Sequence, residues 1–467
     1  MKRIASAIAV VLLAGCSVGD AYVRPAVKPP TAWKAAAAPA AAAWPSADWW
    51  RYFRSLRLDE LMRQGQQGNF DLAAAMARVR QADAQVAIAG ASLLPSLSGS
   101  AGATRSRASS SAGSSSSTKG TVKPVYTTST NTLLNASYEI DFWGKNANTV
   151  NSAEAAAQAS RFDQQTVVLT MQSGIATTYF DLLGAQERVR LAQESVVNSQ
   201  SILAVFRDRL LAGTATSLDV AQQESVVATQ RAAIPPLEQQ IRQDFNALAV
   251  LVGRLPQEME LVPETLEMIG VPPVAPGLPS ELLIRRPDVQ SAEASLRAAN
   301  ADIAVARAAW FPSISLTGQG GFQSVDLSKM MSHSSLLFSV GPTLSLPIFD
   351  AGRIAGTVEQ KRARWDELAQ TYRKAVVSAF SDVENALIAV EKTAEEVEAQ
   401  KVSESTARRA FVIAQEQMAG GIVDVTSVLN TQKTLFSAQD ALIQARLAHL
   451  QAVIGLYKAM GGGWSAG

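Results

Sequence analysis

The sequence predicts a mainly α fold with a small transmembrane β part, laid out as two structural repeats. Three observations predict it. Apolar residues recur at every seventh position over runs far longer than a globular helix needs. Short stretches in each half alternate apolar and polar residues with period two. The second half of the chain also repeats the first at a nearly fixed offset.

The chain opens on an export signal. Lys2 and Arg3 give a positive start, Ile4 to Leu13 form a mostly apolar run, and Ala14 and Gly15 precede Cys16. That run is too short to span a bilayer as a stable helix. Cys16 is the only cysteine of 467 residues, so it has no internal disulfide partner. With two histidines in the whole chain, a zinc site lacks its ligands. "LAGC" resembles the bacterial lipobox, in which the signal is cut before the cysteine and the thiol takes a diacylglycerol. The resemblance implies a lipoprotein signal over 1 to 15 and acyl lipid, palmitate included, on Cys16. Ser17 at the next position permits sorting to the outer membrane. The alternative is an ordinary signal peptide with an incidental cysteine. Residues 16 to 47, rich in Ala and Pro, read as an extended, acylated tether.

Composition narrows the function. The net charge of +1 implies no nucleic acid or other polyanion as partner. No segment after the signal reaches 18 consecutive apolar residues, so no transmembrane helix is predicted, although strands can still cross a membrane. There is no paired histidine, nucleophile constellation or phosphate loop. The chain reads as a non-enzyme with no cofactor besides the lipid on Cys16.

The repeat is read residue by residue. "VRQADAQVAIAGASLLPSLS" matches "LRAANADIAVARAAWFPSIS" at an offset of 217, pairing Arg80 with Arg297, Ala87 with Ala304 and Pro95 with Pro312. Later the offset is 208, with Gly144 on Gly352, Gly213 on Gly421 and Gly253 on Gly461. The difference falls at the serine-rich insert of the first half, 106 to 120, which reads as a low-complexity loop. The first repeat spans 48 to 260 and the second 280 to 467, joined by a Pro-rich crossover over 261 to 279.

Strands are expected at about 95 to 106 and 127 to 142, then at about 312 to 324 and 335 to 349. In "TLLNASYEIDF", Leu134, Ala136, Tyr138, Ile140 and Phe142 face one way while Asn135, Ser137, Glu139 and Asp141 face the other. "LLFSVGPTLSLPI" alternates in the same manner. Apolar-out, polar-in alternation is the pattern of a membrane barrel, although a half-buried soluble sheet alternates similarly.

Long helices are expected at about 145 to 211 and 352 to 419, with returning helices at about 217 to 252 and 425 to 460. Val168, Ile175, Leu182, Val189, Val196, Leu203 and Leu210 mark one seam; Val376, Val383, Val390 and Val397 mark its counterpart, broken at Glu404. A helix from 145 to 211 extends on the order of 100 Å. Pro235 and Pro236 predict a kink in the first returning helix. Four strands cannot close a membrane barrel, and an open sheet leaves backbone groups unpaired in lipid at several kcal/mol each. Copies of the chain must therefore pool their strands around a shared lumen.

At "GCSVGDAYVRP", "WWRYF", "LLIRRPDVQSAEASLRAANADIAVARAAWFPSIS" and "LYKAMGGGW" the chain resembles the bacterial outer-membrane efflux proteins, the TolC-like family, in the lipoprotein branch typified by OprM and NodT. The resemblance covers essentially the whole mature chain. It implies a homotrimer with a 12-stranded β-barrel in the outer membrane and an α-helical tunnel through the periplasm. It also implies two partners, a periplasmic adaptor and an inner-membrane transporter, for which the duct conducts small molecules outward. A type I protein-secretion duct is the alternative within this class; the lipid anchor disfavours it. A structural envelope lipoprotein that conducts nothing is the alternative outside it, and the polar strand faces argue against that reading.

By the same resemblance, Gly213, Thr214, Gly421 and Ile422, in the helix-to-helix turns, occupy the positions that meet the adaptor. Plain hairpin turns would use the same glycines. Asp219, just past the first turn, matches the family's tunnel-entrance acids. The second repeat departs, carrying Ser427 and Asn430 at the matching positions with Asp424 nearby. Acids crowded on a narrow axis would bind cations and control opening; an Asp favoured by a helix N-terminus is the plainer alternative. Pro287 and Asp288 read as a helix start. His449 sits on a seam as a packed residue.

Overall fold

The computed structural model describes residues 18 to 34, 44 to 107, 126 to 260, 264 to 272 and 279 to 464. Cys16 and the signal 1 to 15 lie outside these residues, as do most of the serine-rich stretch and parts of the crossover.

Helices α1 (Leu56–Gly68) and α2 (Phe70–Gly90) lead into strands β1 (Ser96–Arg107) and β2 (Tyr126–Ile140). Helix α3 (Lys145–Leu211) follows, then α4 (Ser217–Ala232) and α5 (Ile234–Val252). Past the crossover, one helical turn (Leu282–Arg285) precedes α6 (Pro287–Ala308), β3 (Ser313–Ser324), β4 (Leu336–Ser345), α7 (Arg353–Ala419) and α8 (Val425–Ala459). The repeat holds at the level of elements: β3 follows β1 by 217 residues at both ends, and α7 follows α3 by 208 at both ends.

Proline accounts for the departures from plain periodicity. Pro347 has no N–H to give a ladder, and β4 stops at Ser345 although apolar alternation continues to Ile348. Pro235 and Pro236 stand at the start of α5 and separate it from α4. Their counterparts in the second repeat, Ile443 and Gln444, lie within the unbroken 35 residues of α8.

Packing does not follow the repeats. One compact unit gathers Met1–Arg24, Arg80–Gln158 and Glu293–Gln370; the other gathers Pro25–Val79, Ala159–Ala292 and Thr371–Gly467. Each unit therefore draws on both repeats. The first contains the sheet, an antiparallel meander in the order β1-β2-β3-β4, in which β2 and β3 join one repeat to the other. A small cluster of Ala306, Ile354 and Val358 lies in the same unit.

The second unit holds the main core. Trp49 stacks on Tyr457 with ring centroids 5.1 Å apart, and Phe53 meets Phe180 edge-on at 5.1 Å. The heptad residues Ile175, Val376 and Val383 are buried in it, with Leu248 and Leu456 of the returning helices. The N-terminal segment is pinned in each unit. Asp20 pairs with Arg307 at 2.8 Å and Arg24 bonds Glu293 in the first; Trp33 packs against Phe380 in the second.

The repeats share one junction. Asn69 Nδ2 donates to the carbonyl of Leu251 at 2.8 Å, and Arg286 Nη1 donates to the carbonyl of Ala459 at 3.3 Å. Leu251 and Ala459 are equivalent residues, two before Gly253 and Gly461. Both glycines have positive φ, at 71° and 89°. A Cβ on Gly253 would lie 1.9 Å from the carbonyl oxygen of Gly68, and one on Gly461 would lie 2.3 Å from that of Arg285. Gly213 has nearly the same φ, 72°, with nothing within 4 Å of a Cβ.

These paired glycines separate backbone strain from collision. Gly213→Ala should cost only the left-handed penalty, roughly 1–2 kcal/mol. Gly253→Ala adds a backbone clash and should lower the thermal midpoint of the purified protein well beyond the Gly213→Ala value. Equal midpoints would remove the close-packed junction as the reason for this glycine.

Candidate channel face and helix-hairpin tips

The strand register sorts side chains into two faces. Leu97, Ala136, Gly318 and Val340 form one row across all four strands, and Gly99, Leu134, Gly320 and Phe338 form another. Ile140, Ile314 and Leu344 continue the same face. The opposite face carries rows such as Ser98, Asn135, Gln319 and Ser339. Leu133 and Leu337 are its apolar exceptions. The apolar side chains are strongly exposed in the single chain: Phe338 is 82 % accessible and Val340 74 %. Burying each such residue is worth roughly 1.5–3 kcal/mol, so this face requires an apolar environment that the chain does not supply. Strands β1 and β4 are open edges, and all twelve residues of β1 are exposed. Among the described residues no helix is long and apolar enough to cross a membrane.

The two hairpin tips are built alike. Gly213 N–H bonds the Leu210 carbonyl at 3.0 Å and Thr214 N–H bonds Arg209 at 2.8 Å. At the second tip Gly421 N–H bonds Met418 at 3.1 Å and Ile422 N–H bonds Gln417 at 2.9 Å. Each pair closes the end of a 67-residue helix as a Schellman motif, with glycine at φ 72°. Gly213, Thr214 and Gly421 are exposed, and Ile422 is 75 % accessible despite being apolar.

Asp219 and Asp424 both cap helices. At the start of α4, Thr216 Oγ1 accepts from Asp219 N–H at 3.2 Å, and Asp219 Oδ2 accepts from Thr216 N–H at 2.7 Å. At the start of α8, Asp424 Oδ1 accepts from Ser427 N–H at 3.0 Å and from its hydroxyl at 2.7 Å. The hydroxyl of Ser427 and this backbone N–H hold the Asp424 carboxyl below its usual range. Thr216 and Asp219 correspond to Asp424 and Ser427, so acid and hydroxyl have exchanged places between the repeats. The acid absent from the matching position of the second repeat stands three residues earlier. The spacings Thr-x-x-Asp and Asp-x-x-Ser were the sequence signal for this exchange.

The "RRPDV" segment is a structural clamp. Arg286 forks onto both oxygens of Asp288, at 3.0 and 2.6 Å, and reaches Asp382 of α7 at 2.9 Å. Burial works against charge on Asp288, but the Arg286 fork outweighs it and lowers the carboxyl. His449 is half-buried, with Nδ1 2.9 Å from Thr393 Oγ1, and burial lowers its basicity. His333 is exposed.

Polar groups also lie inside the helical seams. Ser199, fully buried, is met by Gln230, Gln432 and Gln223 from α4 and α8. Two carboxyls are also withdrawn from solvent, Asp181 of α3 partly and Asp244 of α5 fully. Burial first, and the charge of Asp244 second, push Asp181 up to about 6, against a 2.5 Å bond from Gln451. Burial also raises Asp244, whose Oδ1 takes a bond from Gln240 at 2.8 Å while Oδ2 is buried without a partner. The seam reading did not find this pair, although Asp244 stands three residues after Ile241 of the returning helix, where the heptad places its second seam residue.

The family model described as "Outer membrane efflux protein" matches residues 61–254 and 278–462. The pyoverdine export outer membrane protein OpmQ of Pseudomonas aeruginosa is 39% identical over 100% of this chain and 98% of its own length. The toluene efflux pump outer membrane protein TtgI of Pseudomonas putida is 31% identical, over 98% of this chain and 97% of its own. Among solved structures, the outer-membrane channel OprN superposes with a TM-score of 0.89 at 27% identity, covering 96% of this chain and 100% of that one.

The buried carboxyl pair sets a pH dependence. Asp181 has a folded-state pKa raised above its ordinary 3.8, so its penalty is absent below that value and grows as pH rises through about 6. The thermal midpoint should fall between pH 5 and pH 7.5. Asp244→Asn, which removes the like charge, should flatten that fall and raise the midpoint at pH 7.5. An unaltered pH profile in the variant would show that the two carboxyls are not coupled.

Proposed function

The chain belongs to the outer membrane efflux protein family, and on that premise we propose that three copies close one barrel and form the exit duct of a tripartite efflux pump. One observation carries this reading. The four-stranded sheet has an apolar face, a polar face and two open edges. Three such sheets give twelve strands, enough to leave a lumen, with apolar residues toward lipid and serine, threonine and amide side chains toward water. Conduction is passive, since neither composition nor geometry supplies an energy source.

The finer assignments follow from the same premise. The exposed tips at Gly213, Thr214, Gly421 and Ile422 are the contacts for a periplasmic adaptor, with Ile422 as the apolar anchor. Asp219 and Asp424 stand at the tunnel entrance, where three copies of each bring six carboxylates near one axis. Capping and gating are compatible there, because the cap bonds engage one oxygen of each carboxyl and leave the other open. Cys16 carries the lipid that tethers the chain to the outer membrane. An inner-membrane transporter supplies the cargo and the energy. The named relatives are a pyoverdine export protein and a toluene efflux pump protein, with differently named cargoes, which supports assigning selectivity to the transporter and a permissive role to the duct.

The test is single-channel recording in planar bilayers on protein whose native mass is measured first. A trimeric mass with discrete conductance is expected. A monomer without conductance, even with both tips altered, would refute the duct. In the same recordings, Asp219→Asn combined with Asp424→Asn should preserve the caps while raising open probability and weakening block by divalent cations. Unchanged gating would leave both residues with capping alone.

A further inference from the structure

A groove of about 690 Å³ opens in the sheet-containing unit beside Trp310. Val18, Arg307, Trp310, Phe311, Glu359 and Arg362 contribute to its lining. Trp310 and Phe311 immediately precede β3, and Phe311 stacks on Trp143, which follows β2, at 4.6 Å. Trp143 Nε1 donates to the Pro312 carbonyl at 2.8 Å, which fixes this aromatic group at one end of the sheet. Aromatic rings with adjoining arginines at a strand end are the arrangement of a membrane–water boundary.

Glu359 and Arg362 stand three residues apart on α7, yet among the described residues no ion pair joins them or engages either one. Elsewhere on α7 the same spacing is paired: Arg364 with Glu367 at 2.6 Å and Lys392 with Glu395 at 2.9 Å. Arg307 is held by Asp20 at 2.8 Å and so keeps its guanidinium at the groove wall. A cation and an anion side by side, next to an apolar aromatic wall, match a ligand with both charges on a short head and a hydrocarbon tail.

Resting on the reading of the sheet as a membrane barrel, we propose that this groove binds one phosphoethanolamine phospholipid. Its phosphate meets Arg362 and Arg307, its ammonium meets Glu359, and its acyl chains lie along Trp310 and Phe311. An ammonium donates hydrogen bonds to a carboxylate, whereas a choline head has none to donate and a glycerol head lacks the positive charge.

Native mass spectrometry of the full chain, released from detergent with matched phosphatidylethanolamine, phosphatidylcholine or phosphatidylglycerol, tests the assignment. The unaltered protein should retain phosphatidylethanolamine most strongly. Arg362→Gln should lower retention of all three lipids, that of phosphatidylethanolamine by about tenfold. Glu359→Gln should abolish the preference for phosphatidylethanolamine over phosphatidylglycerol while leaving phosphatidylglycerol bound. Equal retention of the three lipids by the unaltered protein overturns the proposal, as does retention that neither variant changes. Conductance of the unaltered chain is recorded separately, so a conducting duct with either of those results overturns the groove alone.

Discussion

A sheet of four strands cannot satisfy itself. Its two edge strands present rows of backbone N–H and C=O groups, and in hydrocarbon each unpaired group costs several kcal/mol. One of its faces is also apolar and exposed, from Leu97 through Leu134 to Phe338 and Val340. Both demands are met only when the chain contributes a sector to a larger closed wall. The two-repeat layout, the antiparallel meander and the alternation along each strand follow from that incompleteness. Period-two alternation must hold because a slip by one residue would turn serine and asparagine toward lipid.

The repeats are copies in sequence that share their packing. Each sends its strands into one sheet and its helices into one core, so neither could be removed without opening the other. The junction at the end of each returning helix shows how closely the copies correspond. A side chain at the start of α2 or α6 bonds the equivalent carbonyl, and an equivalent glycine lies against the preceding turn. The copies differ where each has local work. Asn69 is neutral, whereas Arg286 also clamps Asp288 and Asp382. The proline pair breaks one returning helix and leaves its twin continuous.

Helix ends were the places where sequence comparison between the repeats was least direct. A position-by-position match finds Asp219 opposite Ser427 and reports a missing acid. The backbone needs only that its first free N–H groups be met by an acceptor, and Thr-x-x-Asp and Asp-x-x-Ser both meet that need. The cap at each tip therefore fixes that an acceptor stands at the helix start, and leaves open which of the two positions carries the acid.

The sequence alone determined the element types, their order and their faces, because helix and strand periods and proline are local in origin. Periodicities of seven and two, read on residues such as Ile175, Val376, Leu134 and Phe338, set which side of each element is apolar. Glycines 213 and 421 marked the reversals because a left-handed residue is required there whatever surrounds it. Tertiary structure alone decided the rest. It sank Asp181 and Asp244 among helices that raise their affinity for protons, and it pinned Asp20, Arg24 and Trp33 of the segment that composition marked as an extended tether. It also divided the chain into units that ignore the repeat boundary, and left Glu359 and Arg362 unpaired beside Trp310. Each of those outcomes depends on residues distant in the chain, whose meeting no local pattern encodes.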